Sequence, residues 1–248
     1  MNQVTHSALV TGAAGGIGAA VAKAFSQRGV RVLLVDRNES VVQTAKTLPG
    51  ASARVVDLSI EKEVLDLARY ARGEFGGCDI LVNNAGINPM REGRGYRTAE
   101  IDMEVWNAVM QVNLAAPFLL CRELLPAMRE RGWGRVINIA SRAGRTYIPG
   151  VSAFYSVSKA GLVGMTRQLA GEFAASGITV NCVAPGPVDT PLSLQSSKET
   201  LAKSAANVAS ARRGTAEEIA AAVDFLATPA AGFICGACID ANGGGFMG

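Results

Sequence analysis

The sequence predicts an α/β fold: a doubly wound, parallel, seven-stranded sheet with helices on both faces (Rossmann-type). Three observations carry that expectation. Short apolar, β-branched runs alternate with longer Ala-rich segments of helical period. Several runs are apolar at every position, as strands covered on both faces must be. A glycine-rich turn joins the first run to the first helical segment.

The first strand is read at 7–11 (SALVT), and the helix beyond the glycines at 16–28. A strand at 31–36 (RVLLVD) leads to a helix at 39–47, and one at 53–57 (ARVVD) to a helix at 61–75. The fourth strand, 79–83 (DILVN), precedes a long helical stretch at 103–131. The fifth, 135–141 (RVINIAS), precedes a helix at 152–176, and the sixth, 178–184 (ITVNCVA), one at 215–228. The run 233–240 (FICGACID) closes the sheet. Parallel neighbours joined through helices imply right-handed crossovers.

Two segments interrupt the alternation. Residues 87–102 are rich in Gly and Arg; residues 189–214 follow a Pro-Gly-Pro turn and read as a helix pair. Both come after strand C-termini, the side on which open α/β sheets bind ligands. Both are expected to overhang a site.

At about 150 residues per domain, 248 residues fall between one and two domains. No linker, composition break or internal repeat divides the chain, so 1–248 reads as one domain. Hydrophobic residues at 49% against 18% charged exclude global disorder, and 28 glycines without a triplet period exclude a collagen-like chain. The net charge of +3 is not concentrated in any Lys/Arg run, so neither nucleic acid nor an anionic membrane is an expected partner. No apolar run approaches the ~18 residues of a spanning helix, and the N-terminus lacks a signal-peptide pattern. A cytoplasmic location is expected.

His6 is the single histidine, which argues against a clustered His metal site or a Ser–His–Asp triad. No metal is expected. Cys78, Cys121, Cys182, Cys235 and Cys238 are odd in number and widely spaced, as reduced intracellular thiols are. Cys235 and Cys238 form a C-x-x-C inside a strand-like run and are read as small core residues.

In TGAAGGIG (11–18), Gly12, Gly16 and Gly18 fall at the strand–helix junction, with Ile17 between the last two. Glycine there permits a tight turn, close approach of backbone to a pyrophosphate, and close helix–strand packing. The helix start then offers N–H groups to an anion. Asp36 ends the second strand, where a carboxylate can bond both ribose hydroxyls of adenosine and repel a 2′-phosphate. NAD is therefore expected over NADP, although Arg37 follows directly and could meet a phosphate.

YSVSK (155–159) places Tyr155 and Lys159 one helical turn apart on a common face. A tyrosine of ordinary pKa ~10 exchanges protons poorly near neutrality, and a nearby ammonium stabilises its phenolate. Ser141, at the end of the fifth strand, is placed to orient a carbonyl or hydroxyl oxygen.

TGAAGGIG, Asp57 with Leu58, NNAG (83–86), Asn113, Ser141, YSVSK and PGPVDT (185–190) occur in this order. With them the chain resembles the short-chain dehydrogenase/reductase family over nearly its whole length, in the single-domain form of the 3-oxoacyl-carrier-protein reductases. The resemblance implies Tyr155 as general acid/base, Ser141 as the group positioning the substrate oxygen, and Lys159 as the residue that lowers the Tyr155 pKa and bonds the nicotinamide ribose. It implies a water on Asn113 linking Lys159 to solvent. It further implies that Asp57 and Leu58 contact adenine, that Asn83, Asn84 and Gly86 line the adenosine side, and that Val188 and Thr190 meet the carboxamide and phosphates. A homotetramer paired through 103–131 and 152–176 is implied as well. Ala241-Asn242 stands where the family usually has Asp-Gly.

The expected function is NAD-dependent interconversion of a secondary alcohol and a ketone. An NAD-binding regulatory protein without turnover, and a sugar-nucleotide epimerase or dehydratase, are the alternatives. Arg142 and Arg145 directly follow Ser141, and Arg91, Arg94 and Arg97 lie in the 87–102 connection. Arg suits bidentate recognition of anions, so an anionic substrate is expected. The competing reading pairs these arginines with Glu92, Glu100 and Asp102.

Overall fold

The computed structural model describes residues 6–195 and 197–248. Residues 1–5, part of the N-terminus read for a leader, and Ser196, within the 189–214 segment, lie outside them.

Seven parallel strands form one sheet in the order β3-β2-β1-β4-β5-β6-β7. The first half alternates β1 (Ser7–Thr11), α1 (Gly16–Gln27), β2 (Arg31–Asp36), α2 (Ser40–Lys46), β3 (Ala51–Val55), α3 (Glu61–Arg72) and β4 (Ile80–Asn83). Then come α4 (Met103–Met110), α5 (Ala116–Arg131), β5 (Gly134–Ile139), α6 (Ala153–Phe173), β6 (Ile178–Val183), α7 (Lys198–Ala206), α8 (Ala216–Leu226) and β7 (Cys238–Ile239). The doubly wound expectation holds.

The packing follows from the two-residue period of a strand. Leu9, Leu33, Leu81, Val136 and Val180 point to one face, where Leu67, Leu120 and Leu124 of α3 and α5 cover them. Val10, Val32, Leu34, Val82 and Ile137 point to the other, under Phe25 of α1 and Val223 of α8. Burying each such side chain contributes roughly 1.5–3 kcal/mol. Every residue of β1, β4, β5 and β6 is buried, which is why those runs read as predominantly apolar.

The helix ends are local chemistry. Asp102 caps α4 by accepting from the Val105 N–H at 2.8 Å, and Thr215 with Glu218 forms a reciprocal capping box at α8. Gly132, at φ +68°, takes the left-handed conformation that ends α5.

The structure differs from the sequence reading at several elements. The helical stretch 103–131 is interrupted by a π turn at Gln111–Ala115. An 18-residue window of this stretch reaches a mean hydropathy of 1.3, contrary to the reading that no run approaches spanning character; 56% of the window is buried in the fold. The 189–214 segment holds one helix, α7, and a 3-10 turn at Ser193–Gln195 instead of a helix pair. The last strand shrinks to two residues because Gly236 turns the chain at φ +77°. Cys235 is consequently exposed and Cys238 half-buried, so the C-x-x-C is not a pair of core residues. His6 stacks on Trp133 at 4.0 Å, at the end of β1 opposite the glycine turn.

Candidate active site

β1, β4, β5 and β6 all end at one edge, and a cleft of about 920 Å³ opens there. Its first wall is the glycine turn. Gly12 has φ +66°, and a Cβ on it would come within 2.8 Å of the Ala85 backbone. A Cβ on Gly18 would come within 2.2 Å of the Gly12 carbonyl. Only glycine fits at either place. Gly16 and Ile17 line the cleft, and Gly15, which precedes α1, makes no side-chain cap. The helix start therefore faces the cleft with N–H groups that no side chain caps.

The turn is fastened from two sides. Asn84 Nδ2 donates to the carbonyls of Thr11 (2.8 Å) and Gly12 (3.0 Å). Asp36 Oδ2 accepts from the Ala14 N–H at 3.0 Å, while its Oδ1 accepts from the Asn38 N–H at 3.0 Å. Both carboxylate oxygens are thus oriented, at the edge of the cleft. A smaller adjoining cavity of about 90 Å³ is lined by Asp57 and Leu58. Asp57 accepts from the Ser59 N–H at 2.8 Å, and this bond holds its carboxyl below the usual range.

Asn83, expected on the adenosine side, lines neither cavity. Its amide is buried and donates to Asn138 Oδ1 at 2.8 Å, and Asn138 donates onward to Thr166 Oγ1 at 2.9 Å. Adjacent residues at a strand end face opposite ways, so Asn84 meets the glycine turn while Asn83 ties β4 to β5.

The opposite wall carries Ser141, Tyr155 and Lys159. A Cβ on Gly144 would lie 2.6 Å from the Lys159 backbone, so the 3-10 turn Arg142–Gly144 sits directly on α6 and fixes Ser141 beside Tyr155. Ser141 Oγ accepts from the Ala143 N–H at 3.1 Å. Burial pushes the Tyr155 pKa above the ordinary phenol value, with a hydrogen bond to Ser141 acting the other way. Burial pulls the Lys159 ammonium down to about 8, and its Nζ donates to the Ile139 carbonyl at 2.8 Å. The expected lowering of Tyr155 by Lys159 is not what this geometry shows, because desolvation outweighs every other influence on the phenol.

The π turn carries Asn113, which is fully buried and does not line the cleft. Its Oδ1 accepts from the Ile87 N–H (2.8 Å), and its Nδ2 donates to the Ile87 carbonyl (3.0 Å) and Ser158 Oγ (3.1 Å). A Cβ on Gly86 would meet both Lys159 Nζ (3.3 Å) and Asn113 Oδ1 (3.4 Å). Val188 and Thr190 line the cleft where the 189–214 segment begins. Asn242 is buried against Gly186, which a Cβ would drive into the Asn242 backbone at 2.7 Å.

The arginines separate. Arg94 is bidentate to Glu100 (2.8 and 2.8 Å), and Arg91 is exposed. Arg145 pairs with Asp240 at 3.2 Å, donates to the Gly248 carbonyl at 2.8 Å, and does not line the cleft. Arg142 does line it. Sequence reasoning missed Arg213, which lines the cleft and donates to Asp189 Oδ1, the Val188 carbonyl, Ser193 Oγ and Ser204 Oγ. Its position before α8 carried no signal of that convergence.

A family model described as Enoyl-(Acyl carrier protein) reductase matches residues 12–245. The 3-oxoacyl-(acyl-carrier-protein) reductase of Vibrio cholerae is 37% identical over 249 residues, covering 100% of both chains. A putative NAD(P)-dependent gluconate 5-dehydrogenase from Beutenbergia cavernae, with bound NADP, superposes with a TM-score of 0.90 at 34% identity, over 98% of this chain and 97% of that one. A 3-oxoacyl-(acyl-carrier protein) reductase from Brucella melitensis with bound NAD gives 0.90 at 33% identity, over 98% and 92%.

Proposed function

Because the chain belongs to the short-chain dehydrogenase/reductase family, and is therefore an oxidoreductase of the alcohol–ketone type, we propose that it uses NAD in preference to NADP. The observation that carries this reading is Asp36: it stands at the end of β2 with both oxygens oriented, where a 2′-phosphate would face a fixed negative charge. Solved relatives carry NADP in one case and NAD in the other, so the preference rests on this residue.

The residues fit a dinucleotide. The glycine turn has no room for side chains, and the uncapped start of α1 suits a diphosphate. Gly12, Gly16, Ile17 and Gly18 hold the phosphates; Asp57, Leu58, Asn84 and Gly86 hold the adenosine; Val188 and Thr190 hold the carboxamide end. The bound cofactor supplies hydride exchange with the carbinol carbon. Tyr155 takes the hydroxyl proton in oxidation and returns it in reduction, Ser141 orients the substrate oxygen, and Lys159 holds the ribose. Asn113 holds the water that connects Lys159 to solvent.

The same reading makes residues 1–248 one domain and the assembly a cytoplasmic homotetramer, without nucleic-acid or membrane partners. Exposed Met103, Phe118 and Val157 on α4, α5 and α6 support pairing through those helices. The test of the function is turnover of a panel of secondary alcohols and ketones with NAD(H) and NADP(H). NADP(H) used at least as efficiently as NAD(H) would refute the cofactor assignment.

A further inference from the structure

We propose that Arg142 binds an anionic group (carboxylate, sulfonate or phosphate) of the hydroxy or keto substrate. The inference rests on the oxidoreductase reading above and adds the substrate's charge to it.

Arg142 follows Ser141 directly, and its backbone N–H is pinned to the Pro185 carbonyl at 2.9 Å. The residue is only 8% exposed, yet it lines the cleft. No carboxylate lies within ion-pair distance of it among the described residues. Nη1 makes two long contacts, 3.4 Å to the carbonyls of Asn207 and Gly245; Nε and Nη2 have no partner among the described residues. Neither nitrogen is sealed from solvent.

The other shielded arginines show how unusual this is. Arg145 has Asp240 and Arg213 has Asp189. Arg135, still more buried, donates to three backbone carbonyls, those of Gly134, Gly177 and Thr228, and lies over the Trp133 ring at 4.5 Å. Arg142 alone of the four keeps a full charge in a shielded place with most of its donors idle. A buried charge without a counter-ion is costly, and an arginine cannot escape by losing its proton. An anion arriving with the substrate removes that cost.

A Cβ on Gly245 would come within 2.1 Å of Arg142 Nη1, so the guanidinium occupies space that a side chain there would take. Among the described residues Asp36 is the only acidic one lining the cleft, and it is engaged at the glycine turn. The Ser141 end of the cleft therefore presents cations without a competing carboxylate. The guanidinium fork then suits a planar or tetrahedral oxyanion.

The test uses matched pairs: 3-hydroxybutanoate against its amide, 2-hydroxypropanesulfonate against the methyl sulfone, and 2-hydroxypropyl phosphate against its dimethyl ester. Wild type should prefer the charged member of at least one pair, and the preferred pair identifies the anion. Arg142→Met should lower kcat/KM for that member about 10- to 100-fold while leaving the neutral partner and NAD affinity unchanged. If the Met variant does not fold, Arg142→Gln, which keeps donors for the Asn207 and Gly245 carbonyls, should show the same collapse. A parallel arm needs no turnover: propanoate, propanesulfonate or propyl phosphate should raise the melting temperature of the wild-type NAD complex, and propanamide should not. Equal use of charged and neutral members, or an unchanged ratio in the variant, overturns the proposal and leaves the oxidoreductase reading standing. If no pair is turned over with either cofactor, that reading is what fails, and the melting arm alone decides for or against the anion site.

Discussion

Lys159 Nζ stands 5.8 Å from the centroid of the Tyr155 ring, one turn further along α6, and is held there by the Ile139 carbonyl at 2.8 Å. The pair is therefore anchored to β5, the same strand that delivers Ser141. Three groups are thereby set by two packed elements.

Tyr155→Phe keeps the ring that packs beside Lys159 and removes only the proton-carrying oxygen. Turnover should fall about 10²- to 10⁴-fold, with NAD affinity by fluorescence titration nearly unchanged. In the wild type, burial raises the Tyr155 pKa, so alcohol oxidation should rise with pH through that raised value and ketone reduction should fall. Substantial activity in the Phe variant would assign the proton transfer elsewhere.

Lys159 makes a stability prediction with a definite sign. Its pKa drops from 10.5 in the unfolded reference to about 8 in the fold. Below pH 8 the lysine is charged in both states and the folded protein bears the full cost of burying that charge. Between the two values the unfolded chain holds the extra proton, so wild-type stability should rise with pH, by roughly 1.4 kcal/mol per unit for this group. Lys159→Met lacks the group, so its stability relative to wild type should be greatest below pH 8 and decline by roughly 3 kcal/mol by pH ~10.5. Urea denaturation of both proteins across that range measures the difference; a constant gap contradicts the cause given for the shift.

Asp36→Ala removes the charge from the end of β2 and also the acceptor for the Ala14 N–H. NAD(H) should bind more weakly, and its advantage over NADP(H) in kcat/KM should narrow about 10-fold or more. An unchanged ratio would mean that Arg37 or the turn itself sets the preference.

Strands β1, β2 and β4 were legible because burial on both faces leaves a short apolar run in the sequence, and β5 and β6 because buried β-branched residues dominate despite Arg135, Asn138, Thr179 and Asn181. The π turn was not, because a widened backbone register leaves no mark in side-chain periodicity, and Asn113 depends on it. The Asn83-Asn84 pair was visible as a motif, but which amide faces the cleft follows from strand alternation and from Asn138, more than 50 residues away. The arginines were ambiguous for a similar reason: Arg145 finds Asp240 across 95 residues of chain, a pairing no local pattern encodes. Arg213 stayed hidden because its four partners come from three separate stretches.

Phe118 and Met103 are 47% and 65% exposed on α5 and α4, and Val157 is 44% exposed on α6. Apolar side chains left open on these three helices fit pairing of like subunits. Light scattering at micromolar concentration should give the mass of four protomers, and Phe118→Glu should shift it downward. A fully active monomer would contradict the assembly.

Arg213 joins the segment that follows β6 to α7 and to the start of α8. Its guanidinium donates to Ser193 Oγ and Ser204 Oγ at 2.8 Å each, to the Val188 carbonyl at 2.6 Å, and to Asp189. Ser193 Oγ in turn accepts from the Thr190 N–H at 3.1 Å, so the turn that carries Thr190 is set through this arginine. Arg213→Ala frees all of these groups at once, and Arg213→Lys can restore only part of the fork. Hydrogen exchange over 198–206 should accelerate in the Ala variant while the β6 amides keep their protection, because β6 is held by both of its sheet neighbours. NAD affinity should weaken about 10-fold, with the Lys variant between the Ala variant and wild type. Unchanged exchange in α7 together with weakened NAD binding would instead make Arg213 a direct cofactor contact, and unchanged values of both would leave it a surface-rim arginine with no part in holding the segment.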